Sequence, residues 1–325
     1  MAEIFYWEAI RRAHDEEMTH DPLVIAMGED IGVVGGTYKA TSGLFEKYGE
    51  TRIIDTPISE NSYTGIGIGA SMAGVRPIIE IMSINFALLA LDTIVNAAAK
   101  IRYMSGGRVT CPIVLRTPGG TAHQLAAQHS ARLARMFMST SGLRVVTPRG
   151  PIDAYGMLKS AVRSNDPVII IEHERMYNMK EEVPDKEFFR PLEGAEIVRK
   201  GTDITLIGYN WSVHLCLDAA KRLEKDGISA EVIDLRSLKP IDRETIRSVY
   251  NRTVERMRQG GMALGDVGGL MRNVLSKAFG EQRSGDVARR ANSDILAKRP
   301  FAMFEQLTAE DLANVGPVAL LQDLA

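Results

Sequence analysis

Cysteine is nearly absent: Cys111 and Cys216 are the only two in 325 residues, too few for a disulfide framework or a cysteine-ligated metal. A reducing interior is the expected home. An excess of either charge is also missing. A formal net charge of -2 and a pI near 6.3 give no electrostatic reason to expect nucleic acid or an anionic membrane as partner. The opening Met1-Ala-Glu-Ile-Phe-Tyr-Trp-Glu8 lacks a basic region before an apolar core, and lacks Arg- and Ser-rich character. Neither a secretory signal nor an organellar transit peptide is read there, so the cytoplasm is expected. Internal repeats, low-complexity tracts and coiled-coil heptads are absent too. What is present, 45% hydrophobic and 25% charged residues, is the balance of a folded chain long enough for two domains.

Apolar periodicity supplies the elements. Residues 4–17 carry Tyr6, Ala9, Ile10 and Ala13 on one stripe at helical spacing. After them, short apolar runs at 24–27, 52–54, 77–81, 112–115, 143–146 and 167–172 read as buried strands. Helix-like stretches at 60–73, 87–103, 132–138 and 152–163 lie between them. Strands that are apolar throughout, alternating with helices, predict an α/β fold: a mostly parallel sheet with helices on both faces. The charged, proline-bearing stretch from Lys180 to about Lys200 predicts a surface linker. A second α/β pattern follows, with strands at 203–209 and 230–235 and helices at 213–226 and 242–249, the last capped by Asp242. The expected division is one domain over 1–185, a linker over 186–200 and a second domain over 201–325.

The segment Asp55-Thr-Pro-Ile-Ser-Glu60, followed by Gly65-Ile-Gly-Ile-Gly69-Ala-Ser-Met-Ala73-Gly74, is the richest in the chain. It sets one carboxylate, Glu60, just before a helix. Gly65, Gly69 and Ala73 share one face of that helix, where another backbone can approach closely. The same spacing packs helices in membranes, but too few apolar residues surround it for a span. A carboxylate on a turn beside a tight helix contact suggests a site at an interface, although an acid at a helix start also simply complements the positive helix end. Phe86 by itself reads as a core aromatic. His129, in Gln128-His-Ser130, follows the loop Pro118-Gly-Gly-Thr121, and imidazole exchanges protons at neutral pH. His123 stands close by. Glu29 and Asp30 end a predicted strand, where α/β sheets place ligands, or else form a solvated turn. Ser164, Asn165 and Asp166 read as a turn.

These segments occur in order with Met27-Gly-Glu-Asp-Ile-Gly32, Ile81-Met-Ser-Ile-Asn-Phe86, Arg102-Tyr-Met-Ser-Gly-Gly107, Ala127-Gln-His-Ser130, Asn165-Asp-Pro-Val168 and Glu231-Val-Ile-Asp-Leu235. From Met27 to about Arg243 the chain thereby resembles the β subunits of the E1 component of 2-oxoacid dehydrogenase complexes, the pyruvate type in particular. The resemblance implies a pyrimidine-binding (Pyr) domain first, a C-terminal transketolase-like α/β domain second, and thiamine diphosphate shared with an α subunit. It implies that Glu60 hydrogen-bonds the cofactor's pyrimidine nitrogen, which readies the 4′-amino group to remove the thiazolium C2 proton. Phe86 would stack on the pyrimidine ring, and Glu29 would lie on an acidic path between two active sites. His129, favoured over His123 by its Ala-Gln-His-Ser context, would assist reductive acetylation of an incoming lipoyl group. Some relatives hold a potassium ion at the turn matching Ser164, Asn165 and Asp166, with backbone oxygens near Ile113 and Ala161.

A Gly-Asp-Gly…Asn motif, which holds the magnesium that binds the diphosphate, is missing. Gly265-Asp-Val-Gly-Gly-Leu-Met-Arg-Asn273 has its second glycine misplaced and lies in the wrong domain. The resemblance therefore implies magnesium held by the α subunit, an α2β2 assembly, a small 2-oxoacid substrate and acyl transfer to an E2 dihydrolipoyl acyltransferase. A branched-chain 2-oxoacid or acetoin dehydrogenase β subunit is the alternative enzyme, and a non-catalytic assembly subunit the alternative outside catalysis. The family pattern fails over about 250–304. Where relatives have a valine-rich strand, this chain reads Tyr250-Asn-Arg-Thr-Val-Glu-Arg-Met-Arg-Gln-Gly-Gly-Met262 and continues Arg- and Ala-rich. A divergent branch or a local reading-frame disruption would each produce this, and its abruptness favours the second. In relatives this domain builds the β–β contact and docks E2.

Overall fold

The computed structural model describes residues 1–120, 125–259 and 319–320. Strand β1 (Ala2–Phe5) runs directly into helix α1 (Tyr6–His20), and the Glu8 carboxylate accepts the Phe5 backbone N–H at 2.8 Å. That bond satisfies a donor left open at the helix start. There follow β2 (Val24–Gly28), α2 (Leu44–Tyr48), β3 (Ile53–Asp55), α3 (Glu60–Met72) and β4 (Arg76–Glu80). Next come α4 (Ile101–Met104), β5 (Val114–Gly119), α5 (Ala134–Met138), β6 (Arg144–Val146), α6 (Pro151–Val162), β7 (Val168–His173) and β8 (Lys180–Val183). The second half contains β9 (Glu196–Arg199), β10 (Ile204–Gly208), α7 (Trp211–Lys225), β11 (Ala230–Asp234), β12 (Ser237–Lys239), α8 (Arg243–Gln259) and β13 (Ala319–Leu320).

Seven strands form the main sheet in the order β12-β6-β7-β5-β4-β2-β3. All neighbours are parallel except β12, which runs antiparallel to β6. Apolar layers cover both faces, as the continuous apolar strands predict. One layer gathers Ile79, Ile94, Leu115 and Phe137; the other gathers Tyr6, Ile10, Tyr155 and Met157 from α1 and α6. A four-stranded sheet, β13-β10-β11-β9, forms the second half around Leu206, Val213, Leu223 and Val232.

Several expectations change. The helix expected over 87–103 breaks into a 3₁₀ turn (Phe86–Leu88), a π-helical turn (Thr93–Ala98) and α4. The stretch from Lys180 to Lys200 is more than a linker: it supplies β8, which pairs with β1, and β9, an edge of the second sheet. Its charged side chains read as loop because edge strands carry polar faces. Residues 250–259 continue α8 as helix, and the rest of the atypical stretch, including Gly265 to Asn273, lies outside the described residues. No helix among the described residues is long and apolar enough to cross a membrane.

Parallel strands place their carboxyl ends on one side. Glu29 after β2, Asp55 at the end of β3, Ile81 after β4 and Gly119 at the end of β5 therefore share the edge where α/β folds bind ligands.

Candidate active site at the carboxyl edge of the sheet

Glu60 is the first residue of α3 and is only 4% exposed. The helix that carries it is pressed onto β4 at Gly67, where a Cβ would lie 2.4 Å from Ile79 Cδ1 and 3.2 Å from Met27 Sδ. Gly67 is thus the glycine that this chain's own packing requires. Gly69 and Ala73 turn outward instead: Gly69 has nothing within 4 Å and Ala73 is exposed, while half-buried Gly65 would set a Cβ 3.7 Å from Thr93 Cγ2.

Glu29 stands beside Glu60, 7% exposed. Burial, and then the Glu60 charge, push its carboxyl above the usual range, with Tyr63 opposing them. Burial and the carboxylates of Glu29, Glu60 and Glu80 likewise hold the Tyr63 hydroxyl protonated. Glu29 and the Tyr63 hydroxyl are buried against each other, and neither oxygen reaches a further partner among the described residues. Buried polar atoms ordinarily find partners, so this pair marks a place shaped for a polar edge. Asp30 is exposed in a left-handed turn with φ 58°.

Phe86 opens the 3₁₀ turn after β4, and His129 closes another at Ala127–His129. Their rings meet edge to face, 5.2 Å apart at 87°, a favoured aromatic geometry. Asn85 holds this meeting in place. Its Oδ1 accepts the Ala131 backbone N–H at 3.1 Å, and its amide donates to the Ala127 carbonyl at 3.5 Å. His129 Nδ1 is buried with no partner among the described residues. His123 lies outside them.

The 164–166 turn stands apart. Ile113 precedes β5 and Asp166 precedes β7, so this group occupies the amino ends of the strands, the opposite edge from Glu60. Its oxygens already have protein partners. The Ile113 carbonyl accepts from Val168 N–H and the Ala161 carbonyl from Ser164 N–H. The Ser164 carbonyl accepts from Arg76 at 3.1 Å, and the Asp166 carboxylate pairs with Arg102 and, at 3.3 Å, with Arg144. Three guanidinium groups meet the turn, two of them paired with the Asp166 carboxylate, and each carbonyl named keeps a second lone pair.

One feature escapes sequence reading. Arg116, within β5 and 1% exposed, sends Nε and Nη2 to Glu172 at 2.8 and 2.9 Å and Nη1 to Glu80 at 2.7 Å. The Tyr177 hydroxyl also bonds Glu172. A buried guanidinium is tolerable only when so fully paired. Neighbouring His14 is kept neutral, its pKa pushed down to about 3 by burial and by Arg116. The available signal is a charge at or near the carboxyl end of three adjacent strands, Glu80, Arg116 and Glu172, which chain order separates.

Two groups of side chains therefore share the carboxyl edge: Glu29, Glu60 and Tyr63 in one, Phe86 with His129 in the other. Together they offer carboxyl and hydroxyl oxygens, an aromatic face and an imidazole, a set suited to a flat, hydrogen-bonding ring. Comparison with known proteins agrees with this chemistry. Residues 2–180 match the family "Transketolase, pyrimidine binding domain", and residues 193–306 match "Transketolase, C-terminal domain". A solved structure titled "Split gene transketolase, inactive beta4 tetramer" is similar in fold, with a TM-score of 0.63 and 24% identity over 78% of each chain. The chain belongs to the transketolase family, with its pyrimidine-binding and C-terminal domains in tandem.

Within that family the match is narrower. The chain is 48% identical to the pyruvate dehydrogenase E1 component subunit beta of Staurastrum punctulatum, over 81% of this chain and 82% of that one. It is 41% identical to the chloroplastic subunit beta-3 of Oryza sativa subsp. japonica, over 98% of this chain and 80% of that one. It is a member of the pyruvate dehydrogenase E1 β-subunit family.

Proposed function

We propose that this chain is the catalytic β half of a thiamine diphosphate-dependent E1 that acts on pyruvate and passes the acetyl group to lipoyl-bearing E2. The observation that carries the reading is the convergence of Glu60, Glu29 and Tyr63 with the Phe86–His129 pair on one sheet edge. The buried Glu29–Tyr63 pair beside Glu60 and the unpartnered His129 Nδ1 fit a ligand with a polar edge. When bound, thiamine diphosphate supplies a carbon nucleophile for the 2-oxo group and an electron sink for decarboxylation.

This chain's residues do the rest. Glu60 would hold the pyrimidine edge and share a proton with its ring nitrogen, Phe86 would present an apolar face to the ring, and Glu29 with Tyr63 would complete the polar wall. His129 delivers a proton to the lipoyl sulfur during acyl transfer. The diphosphate and its magnesium fall to an α subunit, in an α2β2 unit. Val33, Ile58, Ile66 and Leu89 are exposed apolar residues on the segments that carry the site, which supports a partner chain covering it. Two buried free thiols, Cys111 and Cys216, support a reducing, cytoplasmic setting.

The test is co-expression with the matching α subunit, addition of thiamine diphosphate and magnesium, and an assay of acceptor reduction on pyruvate, a branched-chain oxoacid and acetoin. Turnover highest on pyruvate is expected. Preference for another substrate would reassign the substrate, and a stable complex inert on all three would make the chain an assembly subunit.

A further inference from the structure

His173 closes β7 at the same carboxyl edge, yet the chemistry above gives it no part. Its side chain is 3% exposed. The cavity beside it, bounded by Ile84, Gly119, Arg132 and Asn210, measures ≈ 20 Å³, room for about one water and too small for an oxoacid.

Both ends of the stretch that carries His129 rest on this imidazole. Gly120, at φ +84°, comes so close that a Cβ there would lie 2.4 Å from His173 Nε2. From the other end Arg132 sets Nη2 3.1 Å from the same nitrogen. The Gly120 N–H donates to the Ala131 carbonyl at 3.1 Å, joining the two ends.

A second donor meets the other nitrogen: the Arg175 backbone N–H points at Nδ1, 3.2 Å away. A neutral imidazole accepts at one nitrogen only. Burial, with Arg132 and Arg175 nearby, keeps His173 neutral, its pKa pushed down to about 3. The ring therefore accepts one donor and not both. With its proton on Nδ1 it holds Arg132; with its proton on Nε2 it holds the Arg175 backbone.

We propose that His173 is a positioning residue for His129: by accepting Arg132 at Nε2, it seats the ends of the His129 segment so that His129 meets Phe86. The inference rests on the acyl-transfer role proposed for His129. It predicts a division that a merely structural histidine would not show, because only the Nε2 side of the ring matters to the segment.

The two side-chain amides separate the two nitrogens. A glutamine oxygen reaches the place of Nε2 and can accept Arg132, whereas an asparagine oxygen reaches the place of Nδ1 and serves only the Arg175 backbone. In the complex with the α subunit, His173→Asn should lower acyl transfer to lipoyl-E2 about tenfold while acceptor-coupled decarboxylation stays within about twofold. His173→Gln should retain most of the transfer. Arg132→Ala should match His173→Asn, and combining the two should add nothing. Parallel loss in both assays, equal behaviour of the Asn and Gln variants, or additive losses would overturn the proposal. A wild-type complex without decarboxylation would remove the functional reading instead. Trypsin would then decide the placement: faster cleavage after Arg132 in His173→Asn than in His173→Gln supports it, and equal rates overturn it.

Discussion

Glu60 and His129 do different work in this account, and single substitutions should separate them. Glu60→Gln keeps the size and helix position of the side chain but cannot exchange a proton. Decarboxylation should fall by at least about 10²-fold with the melting temperature of the chain nearly unchanged; turnover near wild type would take Glu60 out of the mechanism. His129→Ala should reduce acyl transfer to lipoyl-E2 far more than acceptor-coupled decarboxylation. Equal losses would refute its separate role. These residues were legible in the sequence because each sits in a short segment whose neighbours carry the family resemblance. Arg116 was not. A lone arginine after the run 112–115 reads as the end of a strand, and its partners Glu80 and Glu172 lie 36 and 56 residues away. Only the strand order brings them together.

Helix α3 presents its small residues to two different neighbours. The four-residue spacing of Gly65, Gly69 and Ala73 suggests a face for close approach; Gly69 and Ala73 are exposed, while Gly65 lies near Thr93. Gly67, outside the stripe, packs on β4. The two positions should respond oppositely. Gly67→Val would drive a branched side chain into Ile79 and Met27 and cost about 2 kcal/mol in urea unfolding of the isolated chain. Gly69→Ala, with open space around it, should stabilise the isolated chain by about 0.5–1 kcal/mol through helix propensity while weakening its association with the α subunit. A stabilising Gly67→Val, or a Gly69→Ala that leaves association untouched, would contradict this reading of the helix. The buried parallel strands were predictable because their apolar runs are uninterrupted. Strands β1, β8, β9 and β12 were not, since short edge strands show neither periodicity nor a continuous apolar run.

At the scale of the whole molecule the two halves are joined by β12, which leaves the second half to pair with β6 of the main sheet. Beside it the Thr147 N–H donates to the Arg236 carbonyl at 2.7 Å. Around this seam Arg149 Nε approaches Asp234 at 3.2 Å, Arg190 binds Asp153 at 2.8 Å, and Arg236 binds Glu196 at 3.3 Å. Asp234 is fully buried, and its pKa is pushed up to about 7 by burial and then by the Asp153 charge, against Arg149 and Arg236. The fold thus favours the protonated form over an unfolded chain, where an aspartate titrates near its ordinary value. The stability this confers is present in acid and lost as the pH rises through about 7. The melting temperature should therefore drop between about pH 4 and about pH 7 and level off above that, and Asp234→Asn should flatten the drop. An unchanged slope in the variant would show that Asp234 does not titrate there. Sequence reading placed the seam between the halves in a linker; it missed β12 because a three-residue strand flanked by Arg236 and Pro240 resembles a turn.

In the role proposed, this chain supplies the pyrimidine half of a site that is complete only with a partner. Calorimetric titration of thiamine diphosphate, with magnesium, into this chain alone, into the α subunit alone and into their mixture tests it most directly. Tight binding in the mixture, absent from either chain alone and weakened by Glu60→Gln, is the predicted result. Equally tight binding by this chain alone, or binding indifferent to Glu60, would contradict it.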